Sequence, residues 1–105
     1  MVKLSNRVAR VFRLAEEEIL FKKVKVVMPI HLLIACLVER TGVLGEILFK
    51  GKFDVDALRA EGERMYETQT PQAYNNPYFS IPISKEVEMV LEVAQDYMHR
   101  YKQIF

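Results

Sequence analysis

The stretch of this 105-residue chain nearest to a nucleotide-binding element runs from Gly45 to Gly51 and Lys52. A loop that cradles phosphate closes on Gly-Lys-Ser/Thr, with the hydroxyl held for a metal ion. Here the spacing between the glycines is one residue too long, and Phe53 stands where the hydroxyl belongs. Both read as glycines at helix ends, with Gly51 as a terminator. Asp96 and His99 share a helical face at i, i+3 and could hold a metal together, but no third ligand accompanies them. Glu16, Glu17 and Glu18 are consecutive, so they fan around a helix instead of converging as an acid and base must. His31 lies in an apolar helical run and reads as a core histidine, and Cys36, the single cysteine, reads as a buried, reduced thiol. No catalytic residue, metal site or cofactor is expected, and the chain is not expected to be an enzyme.

Aromatic side chains offer a different chemistry. Tyr66, Tyr74, Tyr78 and Phe79 cluster around a Pro- and Asn-rich segment. Exposed, they would be rigid anchors for a protein partner; folded back, they would be core. Val90 and Leu91, on the apolar stripe of the last helix, are further candidates for protein contact.

The elements that must position these residues are helical. Ser5 caps a first helix whose stripe is Val8, Val11, Phe12, Ala15 and Ile19. Lys22 to Met28 is rich in valine and lysine, but no second strand-like run offers it a partner, so it reads as an extended connection. Pro29 opens a second, almost wholly apolar helix that ends by Gly42; it should be central, with Leu33 and Leu37 buried. A third, short helix fits Val43 to Lys50, with Val43, Leu44, Ile47 and Leu48 inward. Asp54 caps a fourth, which runs to about Tyr66 and is anchored by Val55 and Leu58. Residues 67–82 lose the helical period and read as a linker. Ser84 restarts a helix with Val87, Val90, Leu91, Ala94, Met98 and Tyr101 in its stripe. The two ends repeat: Leu4-Ser5, Val8, Val11, Leu14 and Ala15 recur as Ile83-Ser84, Val87, Val90, Val93 and Ala94, an offset of 79 residues from Ser5 to Ser84.

Composition limits the partners. The chain is 50% hydrophobic, enough for one core, and its formal net charge of +1 leaves no basic field for nucleic acid. The most apolar run, Val26 to Val38, is interrupted by Pro29 and His31 and is too short to span a membrane. No export signal opens the sequence, and with one cysteine the expected location is cytoplasmic.

The string from Leu4 to Ala15 resembles the first-helix signature of the Clp N-terminal domain family, and His31-Leu32-Leu33-Ile34-Ala35-Cys36-Leu37 resembles its His-Leu-Leu second helix. Gly42 to Leu48 and Phe53 to Arg59 follow in the family's order, and the resemblance resumes at Ile83. It implies an all-α bundle of two tandem four-helix repeats. Here residues 1–66 would be the first repeat and 83–105 the first helix of an incomplete second one, in one domain overall. It also implies a non-catalytic module that recruits substrates or adaptors to a ring-shaped, ATP-dependent Clp protease. The partners would be a Clp ATPase, an adaptor or an unfolded substrate, and not nucleic acid or membrane. One departure matters. The family usually carries Thr-Glu-His at the start of helix two, whose glutamate in some members reads phosphorylated arginine, whereas this chain has Pro29-Ile30-His31. Isoleucine offers a guanidinium no acceptor, so that recognition should be absent or weak. The alternative is a free-standing helical protein that completes its core by self-association, as a homodimer, in a structural or regulatory role.

Overall fold

A computed structural model describes residues 4–39 and 54–101, with side chains in the last helix described as far as residue 96. Four α-helices carry the described chain: α1 (Asn6–Ile19), α2 (Pro29–Glu39), α3 (Val55–Thr68) and α4 (Lys85–Tyr101). The short helix expected at Val43 to Lys50 lies outside the described residues, as does the glycine pair Gly45 and Gly51.

Helix α1 begins where Ser5, in extended conformation, accepts the Val8 N–H on its hydroxyl at 3.2 Å. This satisfies one of the orphan donors of the first turn. Phe12, Ala15 and Ile19 are buried, as their spacing requires. The chain then extends through Val24, Val26 and Val27, all buried. This connection does find a partner, contrary to the sequence reading. The Val27 N–H donates to the Pro82 carbonyl and the Ser84 N–H to the Val27 carbonyl, each at 2.9 Å. Tyr74 and Ile83 exchange a second pair of 2.9 Å bonds. Ile83, fully buried, is thus bridged on both sides, by Val27 in parallel and Tyr74 in antiparallel sense. Single-residue pairings of this kind have no alternating run to announce them, which is why sequence reasoning missed the partner.

Helix α2 starts at Pro29, where its missing N–H costs nothing. His31 completes that end, since its Nδ1 accepts the Met28 N–H at 2.9 Å. Ile34, Ala35 and Leu37 face the core, but Leu33 is 36% exposed, which corrects the expectation that both leucines are buried. Leu33 lies about 100° around the helix from Ile34, and in a helix apolar on every face the sequence does not say which side is inward.

Asp54 caps α3 by accepting the Ala57 N–H at 3.1 Å. Val55 and Leu58 are only half-buried; the deepest residue of α3 is Gly62. A Cβ there would stand 3.3 Å from Ile30 Cγ2 and 3.5 Å from His31 Nε2, so even a methyl would press on Ile30 and anything larger would meet α2. Arg59 ties α3 to α1 with a two-point bond to Glu18, Nε at 2.9 Å and the terminal nitrogen at 2.8 Å. The neighbouring guanidinium holds the Glu18 carboxyl below its ordinary range.

Helix α4 repeats the start of α1. Ser84, fully buried, accepts the Val87 N–H on its hydroxyl at 3.3 Å, 79 residues after Ser5 and Val8 do the same. Phe12 and Leu91 stand at the same offset and are both buried. Val90, expected in the stripe, is 52% exposed: α4 packs through Val87 and Leu91 and turns Val90 outward. The core joins α1, the extended connection, α2 and α4 around Phe12, Val27, Ala35, Phe79, Ile83 and Leu91.

Candidate functional site

The turn after Ile19 places a phenylalanine in water. Phe21 is 94% exposed, and Leu20 beside it is also largely exposed. Removing an aromatic of that size from water is worth roughly 1.5–3 kcal/mol, a stabilisation this chain leaves unused. Two open clefts flank the ring. One, of about 300 Å³, is lined by Phe21, Lys22, Lys23, Val24, Glu63 and Tyr66, and also by Glu67. The other, of about 370 Å³, lies against Leu14, Glu17, Glu18, Phe21, Val38 and Arg59, with Lys22 shared between them. The walls are held by α1, α2 and α3. Lys22 reaches Glu63 at 3.6 Å across the first cleft, and the Glu18–Arg59 pair fixes the floor of the second. Phe21 thus protrudes between two grooves of mixed apolar and charged lining.

His31 and Cys36 line neither cleft. Burial pushes the pKa of His31 down to about 4, so the imidazole is neutral and committed to Met28. The Cys36 thiol is pushed up by burial and by the Glu39 charge, the reverse of what a nucleophile needs. Among the described residues no group of three His, Cys, Asp or Glu side chains is placed to hold a metal ion.

The residues expected from sequence divide among three places. Tyr66 lines the first cleft beside Phe21. Tyr74 is half-buried and donates its hydroxyl to Gln72 at 2.7 Å, while Tyr78 lies half-buried with its ring 6.3 Å from that of Phe12. Phe79 stacks on Phe12 at 4.6 Å and is buried, as is Leu91. Both are core side chains instead of surface anchors, because the Ile83 bridges draw the segment before α4 onto α1. Val90 stands apart on the outer side of α4, with Met89 and Val93, which are 55% and 70% exposed. Sequence reasoning missed Phe21 and Met89. The signal for Phe21 was its place just past the last stripe residue, Ile19, against Lys22 and Lys23.

No described helix is long and apolar enough to cross a membrane. Comparison with curated proteins gives no match, and neither does comparison with solved structures. A family model described as the Clp repeat (R) N-terminal domain matches residues 3–105, a span that takes in the four described helices and the bridged segment before α4. The chain therefore belongs to the Clp repeat N-terminal domain family.

Proposed function

We propose that this chain is a non-catalytic protein-binding module that recruits substrate or adaptor proteins to an ATP-dependent Clp protease in the cytoplasm. The family match carries the reading, and Phe21 between its two clefts supplies a surface suited to it. In this proposal residues 1–66 form the first repeat, 67–82 connect, and 83–105 open a second repeat within one domain. Tyr66 and Phe21 form the anchor, and a partner gains by covering the ring. The test is affinity capture from a cytosolic extract with the native chain and with Phe21→Ser. Recovery of a Clp ATPase or a known adaptor by the native chain, lost with the variant, supports the reading. Recovery of neither overturns it.

A second reading, self-association in a structural or regulatory role, is favoured by one observation. Met89, Val90 and Val93 leave the outer face of α4 apolar and open to water.

A further inference from the structure

The internal repeat shows what α4 lacks. Val11 and Leu14 of α1 are half-buried, packed against the core, whereas Val90 and Val93, at the same offset, are 52% and 70% exposed. The outer face of α4 also carries two exposed carboxylates, Glu86 and Glu92 on either side of Met89 and Val93, against one exposed cation, Lys85, a turn before Met89. Neither carboxylate is engaged in an ion pair among the described residues.

Helix α1 presents the opposite charge. Arg7, Arg10 and Arg13 are exposed and stand at successive i, i+3 positions, forming one ridge. Among the described residues none is engaged in an ion pair, unlike Arg59 and Arg64, which are held by Glu18 and Glu61. Their placement does not serve the helix itself. Arginines sit in the first half of α1 and glutamates at its end, with no acidic residue in the first turn and no basic one in the last. The helix dipole favours the reverse order.

We infer that the arginine ridge of α1 docks on the outer face of α4 in a second copy of this chain. The inference rests on the self-association reading and names its surface. Arg7 to Arg13 and Glu86 to Glu92 are both i, i+3, i+6 rows of about 9 Å along a helix, so the two rows match in length and inclination. The aliphatic stems of the arginines then cover Met89 and Val93 while the guanidinium groups reach the carboxylates. Pairing α4 with another α4 would instead bring Glu86 and Glu92 against their own kind, which costs free energy.

Sedimentation equilibrium of the full chain tests this, with Arg10→Glu/Arg13→Glu and Glu86→Lys/Glu92→Lys as variants. All four positions are exposed, and circular dichroism checks that each variant is folded. The native chain should associate at micromolar concentration. Each double variant alone should associate at least about tenfold more weakly, and an equimolar mixture of the two should recover native affinity. A native chain that stays monomeric overturns both the inference and the self-association reading. A native assembly that neither variant weakens, or that the mixture fails to restore, overturns the α1–α4 contact and leaves self-association through another face.

Discussion

Stability should fall as the pH drops from about 7 to about 5, and His31 should be the reason. The residue is 4% exposed and its imidazole accepts the Met28 N–H on Nδ1, which a protonated ring cannot do. Burial sets its folded pKa at about 4 against 6.5 for the free side chain; the Glu18 charge works the other way, and that of Lys22 adds to the depression. The unfolded chain therefore binds more protons between these values. The stability that a neutral His31 contributes is fully present above the unfolded value and is lost as pH falls through 6.5 toward 4. Each tenfold difference in proton affinity is about 1.4 kcal/mol, so lowering the pH from about 7 to about 5 should remove about 2 kcal/mol. Glu18, whose pKa is lowered, adds its own loss only below the ordinary carboxylate range, outside this window. Urea denaturation at the two pH values measures the change. His31→Asn, whose side-chain oxygen can still accept from Met28, should be less stable at neutral pH but should lose most of the dependence. An equal pH slope in both proteins, or a His31 proton resonance titrating near 6.5, would refute the reasoning.

Other perturbations separate core from surface. Leu37→Ala should cost about 2–5 kcal/mol by denaturant unfolding, whereas Leu33→Ala, at a position 36% exposed, should cost less than about 1 kcal/mol. Phe79→Ala removes the ring stacked on Phe12 and should cost about 3–5 kcal/mol; a loss within about 0.5 kcal/mol would show that the segment before α4 does not pack on α1. Gly62→Leu should destabilise strongly, because Ile30 stands 3.3 Å from the position of its Cβ, and a neutral effect would mean that α2 and α3 are farther apart. Free phosphoarginine should not bind at micromolar concentration by calorimetry, since Ile30 supplies no carboxylate at the start of α2.

Where local chemistry determines structure, the sequence was readable. Ser5, Pro29, Asp54 and Ser84 mark the starts of the four described helices, because each satisfies or removes an orphan donor at a helix end. The alternation of apolar and charged residues in α1 identified its buried face. In α2 that contrast is missing, and Leu33 was misplaced for that reason. The bridges of Ile83 to Val27 and Tyr74 join residues 56 and 9 positions apart, and no local pattern reports them, yet they decide that Phe79 is core. Phe21 was legible only as an exception. A large aromatic in a turn can fold inward or stand free, and that choice depends on what the neighbouring helices leave uncovered.

As proposed above, Phe21 meets a partner of the Clp system. A photo-crosslinking phenylalanine at position 21 tests it directly, since at 94% exposure the change should leave folding within about 0.5 kcal/mol of native. Irradiation in extract, followed by mass spectrometry, should give an adduct to a Clp ATPase, an adaptor or an unfolded client. The yield of that adduct should fall when native chain is added in excess as competitor. An adduct only to other copies of this chain, or none at position 21, would contradict the account.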